Sequence, residues 1–283
     1  MDFINSNLEQ LKKLEGFDIL ELNYSKPIDE KLSKAVILRE DNIYKGFGIA
    51  WYEKLHPFRQ NIYIKVFKPY RKRGLGTRIF NYMTTNIAMG NLRCEIDAGN
   101  IEAINFLKKF EFFMIKKKAK YKFSTEDLST VFIPYGDEPK LMKISELTEE
   151  SRDVLYSMLL IDYNRINKSN PTDISLSFEN WKANITKDLL YWDSFFDFRE
   201  GSIYSYLLSY KSKERDTVLL KYTSATRRDM RYGKFLAQAC RNLFRNYKYI
   251  EIEFDSKDLS KDELKKIFKL KKKNSKHIYI KNY

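Results

Sequence analysis

The sequence predicts an α/β fold in two domains, each with a mixed, mostly antiparallel sheet flanked by helices. Three observations support this prediction. β-rich segments in the first half are followed by alternating helix-like and strand-like segments. A strand, a glycine and an amphipathic helix occur together at Gly74 and again at Gly233, which indicates a weak internal repeat. Between them, residues 124–140 (STEDLSTVFIPYGDEPK) contain turn-forming residues and no long periodic segment.

The N-terminal half is predicted to start with a helix inside residues 1–16, because Ile4, Leu8, Leu11 and Leu14 recur at helical spacing. Four apolar or β-branched segments then predict strands, and DNIYK supplies a hairpin turn between the second and the third. These strands are FDILEL, AVILRE, GFGIAWYE and NIYIKVF.

After the Gly74 turn, apolar residues at helical spacing from Ile79 to Ile87 predict a helix, with Gly90 as its C-cap. The segments LRCEIDA, NIEAINFLKKF and FFMIKKKAKYKF then predict a strand, a helix and a strand. In the first of these strands the side chains alternate, so Arg93, Glu95 and Asp97 share one face.

The C-terminal half is predicted from segments of the same kinds. LMKISEL is typical of a strand, TEESRDVLYSMLLIDYNRI and SFENWKANITKDLLYW of helices, and SIYSYLLSYKS and DTVLLKYTSAT of paired strands. A helix entered through Gly233 and the strand YIEIEF follow. We therefore predict one domain over residues 1–125, a linker over 126–139 and a second domain over 140–283.

Composition limits the functional classes. No apolar run approaches the ~18 residues of a membrane span, and the start of the chain lacks signal-peptide order, so we expect a cytoplasmic protein without a membrane partner. Cys94 and Cys240 have no CxxC or histidine context, which predicts buried reduced thiols and no metal site. The formal net charge of +14 favours acidic partners, although a composition rich in Lys, Asn, Ile and Tyr also arises from an AT-rich genome. The C-terminal lysine-rich run is most simply a solvated face, so a nucleic-acid partner is not favoured.

The segment RKRGLGT is suited to binding an anion. The first amides of a helix have no intrahelical partner and lie at the positive end of the helix dipole. Gly74 and Gly76 allow close approach to the backbone, and neighbouring cations and the Thr77 hydroxyl add to the attraction. The glycine patterns of dinucleotide-binding and P-loop proteins are both absent. A pyrophosphate site is the favoured interpretation, and a basic turn without a ligand is the alternative.

The segment VFKPYRKRGLGT resembles the acyl-CoA signature of the GNAT superfamily of N-acyltransferases, [QR]-x-x-G-x-[GA] after a strand. About 25 residues later, CEIDAGNIEAINFLKKFEFF resembles the second conserved block of that family. The resemblance covers roughly residues 17–122. It implies two splayed strands, with the pantetheine arm of acetyl-CoA paired to the backbone of Ile64, Lys65 and Val66. It also implies a pyrophosphate site formed by Arg71, Lys72, Arg73, Gly74, Leu75, Gly76 and Thr77.

The resemblance also suggests roles for Asn100 and Glu95. Asn100 matches an asparagine that contacts pantetheine, and Glu95 matches the general base of the branch that acetylates protein N-termini. A carboxylate on the open face of a strand can take a proton from an amine. Glu95 could instead be a solvated strand charge, in a local ion-pair cluster with Arg93 and Asp97 on the same face.

Two positions depart from the family pattern. Leu107 stands where a tyrosine general acid is usual, and Glu111 stands where glycine is usual. A different tyrosine (Tyr52, Tyr63 or Tyr121) could supply the proton, the thiolate could leave without help, or the domain could bind CoA without turnover.

The second half resembles a degenerate GNAT copy. With Gly233 on the first motif glycine, Met230 and Phe235 replace the motif's cation and second small residue. The sequence thus predicts an acyl-CoA-dependent N-acetyltransferase acting on a primary amine of a small molecule or peptide, and the alternative is a CoA-binding regulatory module. It identifies neither the acceptor nor the oligomeric state.

Overall fold

The computed structural model describes residues 2–13, 33–53, 56–88, 90–127, 138–166, 177–227, 229–255, 264, 268 and 271–283. The described residues form two units. Unit 1 contains those up to Ile115 together with His277–Tyr283, and unit 2 contains those between Lys116 and Lys276. The predicted boundaries at 125 and 140 stay a prediction.

The sheet of unit 1 has the strand order β1-β2-β3-β4-β5, with the C-terminal strand β12 next to β5. Strands β1, β2, β3 and β4 pair antiparallel in succession, and β5 pairs with β4 in parallel. The strands are β1 (Asp2–Ser6), β2 (Ser33–Glu40), β3 (Ile43–Glu53), β4 (His56–Val66), β5 (Leu92–Asp97) and β12 (Lys271–Lys281).

Apolar clusters cover the two faces of this sheet. The α1 cluster lies beneath α1 (Leu8–Lys12) and includes Phe47, Ile49 and Trp51 of β3. The α2 cluster lies beneath α2 (Leu75–Asn86) and α3 (Ile101–Lys109) and includes Ala50 of β3 and Tyr279 of β12. Alternate residues of β3 thus face opposite clusters, as the pleat of a strand requires.

The parallel strands β4 and β5 pair over a short length. Their register joins Gln60 to Leu92 and Asn61 to Arg93. Beyond these positions β4 continues to Val66 and β5 to Asp97, and no pairing joins the described residues of these two stretches. The mixed, splayed α/β fold expected from the sequence is therefore confirmed for unit 1.

Unit 2 has the strand order β6-β11-β10-β9-β8-β7. Strand β11 is parallel to β10, while the other pairs for which a register is given are antiparallel. The strands are β6 (Phe113–Phe123), β7 (Leu141–Lys143), β8 (Phe195–Arg199), β9 (Ser202–Lys211), β10 (Thr217–Ala225) and β11 (Tyr249–Asp255). The helices are α4 (Glu149–Ile166), α5 (Phe178–Thr186) and α6 (Met230–Leu243).

Several predicted boundaries were wrong. Ile4 belongs to a strand, because residues 2–6 pair with β2 and Asn7 then caps α1 through the Gln10 amide. The hairpin turn is only Asp41–Asn42, both with positive φ, so Ile43 already belongs to β3. Helix α2 ends at Asn86, ahead of Gly90. The predicted strand FDILEL lies outside the described residues.

Both cysteines are free and buried. Burial raises the pKa of the Cys94 thiol to about 12 and raises that of Cys240 as well. Both thiols are therefore protonated at neutral pH and act as apolar core groups.

Among the helices described here, none is long and apolar enough to cross a membrane.

Candidate active site

The N-terminus of α2 has a cap without a side chain. Gly74 is the N-cap residue, with φ 75° and ψ 0°, and no side chain accepts a hydrogen bond from the first turn. The Gly74 carbonyl already accepts the Arg78 amide at 3.2 Å. The amides ahead of Arg78 in this turn are therefore oriented to donate to an external acceptor.

The two glycines of this turn are required for different reasons. A Cβ on Gly74 would meet no atom within 4 Å, so its positive φ is what favours glycine there. A Cβ on Gly76 would lie 3.3 Å from the Phe106 ring of α3. Gly76 thus permits close packing of α2 on α3, and Gly74 shapes the turn.

The basic residues before α2 are exposed. The Arg71 Nε donates to the carbonyl of Val66, the last residue of β4, at 3.0 Å. Lys72 has φ 61°, and its Nζ lies 3.6 Å from Glu102 in an exposed pair. Arg73 and Gly74 are also at the surface, whereas Leu75 is buried and anchors the helix.

The predicted pantetheine residues lie on the splayed part of β4. Ile64 and Val66 pack against the α2 cluster, and Lys65 points to the other face by alternation. Backbone pairing holds all three to β3 on one side, through Gly48, Phe47 and Gly46. The opposite edge faces the gap that opens between β4 and β5.

Asn100 is the N-cap of α3. Its Oδ1 accepts the Ala103 amide at 3.1 Å, so the carbonyl end of the side chain is used in capping. The residue is exposed, and its NH2 group can still donate. A contact with pantetheine would therefore use Nδ2.

Glu95 belongs to a buried charge cluster that lies where β4 and β5 separate. Arg93 Nη1 donates to Glu53 Oε1 at 2.8 Å and to Asn61 Oδ1 at 2.6 Å, and Arg93 Nη2 lies 3.4 Å from Glu95 Oε2. The Glu95 side chain is 4% exposed, that of Arg93 9% and that of Glu53 10%. Glu95 is thus not a solvated strand charge.

Glu53 and Asn61 were not predicted as site residues from the sequence. The available signal was a polar residue at the end of the largely apolar segment GFGIAWYE and at the start of the largely apolar segment NIYIKVF. Their convergence depends on the Asn61–Arg93 register and on contacts 32 and 40 residues apart in sequence. The ion pair expected between Glu95 and Arg93 is present, whereas Asp97 is exposed.

The three candidate tyrosines occupy different environments. Tyr121 is 8% exposed in the core of unit 2, with its ring against Phe254. Tyr52 follows Trp51 in β3, and Trp51 faces the α1 cluster, so Tyr52 points to the opposite, α2 side of the sheet. Tyr63 packs against the α1 cluster, and it lies two residues beyond Asn61 on the face that carries Arg93 and Glu95.

Helix α6 of unit 2 begins differently from α2. Its N-cap is Asp229, whose carboxylate accepts the Tyr232 amide at 3.2 Å and a hydrogen bond from the Tyr204 hydroxyl. Gly233 lies inside the helix, so the expected glycine turn at its entrance was wrong. The local signal was an aspartate three residues before Tyr232, which is typical of an N-cap.

The arginine in the first turn of α6 is paired with a buried carboxylate, unlike the exposed cations before α2. Arg231 makes a bidentate pair with Asp197, at 2.7 and 2.9 Å, and the Asp197 side chain is fully buried.

No group of three or more His, Cys, Asp or Glu residues suited to a metal ion occurs in the described part of either unit.

No protein-family model matches the sequence, and no curated protein matches it. Solved structures do match. The GCN5-related N-acetyltransferase from Sphaerobacter thermophilus has a TM-score of 0.64 at 11% identity, over 99% of this chain and 95% of its own. A tandem GNAT protein from the clavulanic acid biosynthesis pathway has a TM-score of 0.55 at 10% identity, over 88% and 82%.

A third match is the glucosamine N-acetyltransferase region of a fungal multi-domain β-N-acetylglucosaminidase. Its TM-score is 0.66 at 12% identity, over 99% of this chain, which spans 38% of that longer protein. At such identities the likeness concerns the fold. The chain has the fold of the GNAT N-acetyltransferases.

Proposed function

We propose that the protein is an N-acetyltransferase that transfers an acetyl group from acetyl-CoA to a primary amine of a small molecule or peptide. The observation that carries the proposal is the helix entrance at Gly74. It offers backbone amides without a side-chain cap, one short turn after a strand that has separated from its parallel neighbour. The fold shared with acetyltransferases supports the same reaction class.

The residues around this entrance fit a pyrophosphate. The amides of residues 72–77 and the charge of Arg71, Lys72 and Arg73 would hold it, and the open space at the Gly74 Cα admits it. The backbone of Ile64–Val66 and the Asn100 amide would hold the pantetheine arm. When bound, acetyl-CoA supplies the activated thioester.

Glu95 would act as the general base. Its carboxylate takes one proton from the substrate ammonium, and the neutral nitrogen can then attack the acetyl carbonyl. A C–N bond forms while the C–S bond breaks, and the nitrogen releases its second proton to solvent water. The low exposure of Glu95 strengthens its electrostatic interactions with a bound ammonium group.

Tyr63 would donate the proton that the leaving thiolate needs. Of the three tyrosines considered, Tyr63 is the one that alternation places on the face of Glu95, on the opposite arm of the splay. Leu107 cannot serve, because its side chain has no ionisable proton and is buried in the α2 cluster. The free CoA thiol is then the second product.

The second candidate is a module that binds CoA without turnover. The pairing of Glu95 with Arg93 favours it, because a carboxylate held by a guanidinium is a weaker base. Unit 2 would then regulate or support unit 1. The predicted two-domain tandem arrangement and the cytoplasmic location remain part of the proposal.

Calorimetry with acetyl-CoA followed by a thiol-release assay separates the candidates. The amine panel should include glucosamine, a polyamine and a short peptide with a free N-terminus. Binding with amine-dependent thiol release supports the enzyme, and binding with no release for any amine supports the module. Absence of binding would remove both.

A further inference from the structure

Unit 2 contains buried polar atoms that have no hydrogen-bond partner within the described part of the chain. Three of them are Arg152 Nε, the Tyr156 hydroxyl and the Ser145 hydroxyl. Tyr156 is 1% exposed, while Arg152 and Ser145 are half-buried. A buried donor without an acceptor is costly in free energy, so such groups call for a partner from outside the chain.

Two of these atoms meet where α4 packs against the turn Tyr191–Asp193. Arg152 and Tyr156 are four residues apart on α4, so they lie on the same side of the helix. The Arg152 guanidinium lies 5.8 Å from the centroid of the Tyr191 ring. The hydroxyl of Tyr191 also acts on that of Tyr156. Two phenols have two hydroxyl protons and a bond between them uses one, so a donor remains.

Ser145 belongs to the neighbouring turn Ile144–Glu146. The amide of Ile144 donates to the Ser194 carbonyl at 2.9 Å, which places this turn against the segment that follows Tyr191. Every one of the four polar side chains gathered here carries a hydrogen-bond donor. We call them the Arg152 site: Ser145, Arg152, Tyr156 and Tyr191.

The Arg152 guanidinium makes no ion pair with any carboxylate in the described ranges. Asp153, next to it on α4, lies 2.7 Å from Lys182 of α5. Asp193, in the turn that carries Tyr191, accepts the Tyr247 hydroxyl at 2.7 Å. The carboxylates beside the site are therefore engaged with other partners.

The site is rich in donors and positive in charge. Burial raises the pKa of the Tyr156 hydroxyl well above its usual value, Tyr191 raises it further, and the nearby Arg152 charge opposes the rise. The hydroxyl is therefore protonated at neutral pH and can donate. Lys143 adds a second cation, with its Nζ 5.6 Å from the centroid of the Trp192 ring. This charge favours the approach of an anion.

We propose that the Arg152 site binds a small oxyanion of the carboxylate or phosphate type. One such group can accept hydrogen bonds from a guanidinium and from hydroxyls together, and its charge neutralises an arginine that pairs with no described carboxylate. A water molecule would satisfy the donors but not the charge. The site belongs to unit 2, and it does not depend on the reaction proposed for unit 1.

The first test measures thermal unfolding of the whole chain in phosphate, in acetate and in chloride at equal ionic strength. Phosphate stabilises many proteins by exclusion from their surface, so variants are compared within each salt. In phosphate or in acetate, we expect the midpoint of the parent protein to rise by about 2–4 °C more than that of Arg152→Met. The salt with the larger difference identifies the ligand class.

Arg165→Met is the matched control for this test. Arg165 is also an arginine of α4, but its side chain is 58% exposed and pairs with Asp162. We expect this variant to respond to each salt as the parent protein does. An equal loss of the response in Arg165→Met and Arg152→Met would overturn the site, because it would reflect the overall charge of the protein.

Tyr156→Phe tests the buried part of the site, since it removes the hydroxyl and keeps the ring. In chloride we expect this variant to be at least as stable as the parent protein, because a buried donor without a strong acceptor has been removed. In the salt that gives the specific response, the order of stability should reverse. A site that holds only water would give the same order in every salt.

The remaining outcomes also decide the proposal. A response kept in Arg152→Met does not need the guanidinium, and one kept in Tyr156→Phe is explained by surface charge alone, so either result overturns the site. If Arg152→Met does not fold, the order of Tyr156→Phe and the parent protein still gives the answer. Anion bound at the Gly74 entrance contributes equally to all these variants, so a failure of the proposed function leaves the test intact.

Discussion

Gly74 and Asp229 occupy the same position, the residue before a helix that follows a strand, and offer opposite chemistry there. Gly74 provides no side-chain acceptor, so its helix entrance remains a donor of hydrogen bonds. Asp229 places a carboxylate at its helix entrance and accepts the Tyr232 amide. A phosphate would be attracted to the first and repelled by the second.

Placing a carboxylate at position 74 should therefore make the entrance of α2 as unfavourable for a phosphate as the entrance of α6. We expect Gly74→Asp to weaken acetyl-CoA binding at least tenfold, equivalent to about 1.4 kcal/mol, because the carboxylate competes for the amides and repels the pyrophosphate. Isothermal calorimetry measures the change.

Gly90→Asp is a matched control for this prediction. Gly90 also has φ 75° with no atom within 4 Å of a built Cβ, so both substitutions incur comparable backbone strain. If Gly74→Asp and Gly90→Asp lost equal stability and equal affinity for acetyl-CoA, backbone strain and not the loss of the anion site would explain the weaker binding.

A second prediction at this scale concerns Tyr63. Tyr63→Phe keeps the ring against Phe47 and removes the hydroxyl. We expect kcat to fall roughly 100-fold, with little change in acetyl-CoA affinity, since general acid catalysis contributes about that much. Tyr52→Phe, on the other face, should retain its activity. Equal activity of the two variants would exclude Tyr63 as the acid.

At the scale of elements, the C-terminal strand completes unit 1. Tyr279 of β12 is 4% exposed within the α2 cluster, and Lys281 Nζ donates to the Phe110 carbonyl at 2.9 Å. The backbone amide of Tyr283 donates to Asn91 at 3.1 Å. The last residues of the chain are therefore part of the unit that holds the candidate site.

Tyr279→Ala should destabilise unit 1 by about 3–5 kcal/mol, the usual cost of removing a buried aromatic side chain. Thermal unfolding and acetyl-CoA binding, measured on the same samples, test this expectation. Tyr283→Ala is the control, because that side chain is 67% exposed. Equal stability of the two variants would contradict the placement of β12 in this core.

A lysine-carboxylate network joins elements of unit 2. Glu214 accepts hydrogen bonds from Lys122, at 2.7 Å, and from Lys273, and these bonds lower the pKa of its carboxyl to about 2. Lys120 and Lys273 reach the buried Glu251 at 2.6 and 3.1 Å.

This network predicts a pH dependence of stability. A carboxyl whose pKa is lowered by folding stabilises the fold fully above its unfolded value of 4.5 and loses that contribution as the pH falls towards 2. Because the Glu214 side chain is 40% exposed, we expect less than about 1 kcal/mol. In urea unfolding, Glu214→Gln should lose less stability between pH 5 and pH 2 than the parent protein, by an amount that salt reduces. Identical pH profiles would contradict this assignment.

For the whole molecule, we predict one acetyl-CoA per chain. Of the two helix entrances compared, only that of α2 is without a side-chain cap. Calorimetric titration should give a stoichiometry close to one, and the Gly74→Asp protein should show no remaining site of similar affinity. Two equivalent sites would contradict the difference inferred between Gly74 and Asp229.

Local patterns in the sequence predicted the parts of the molecule that depend on local physics. Two nearby glycines after a strand indicated the helix entrance at Gly74, and alternation placed Arg93 and Glu95 on one face. The helix predicted for Ile4 was wrong. Its spacing with Leu8 fits a helix, but its pairing with β2 makes it a strand residue. The Glu53–Arg93 contact and the place of β12 depend on register and topology, which local spacing does not contain.

The placement of His277–Tyr283 in unit 1 has a consequence for biosynthesis. Roughly 160 residues of chain separate this segment from Ile115, and synthesis proceeds at about 5–20 residues per second. For a period on the order of ten seconds the nascent N-terminal half would lack Tyr279 in its core. Its α2 cluster would stay incomplete until the ribosome had delivered the strand that contributes Tyr279.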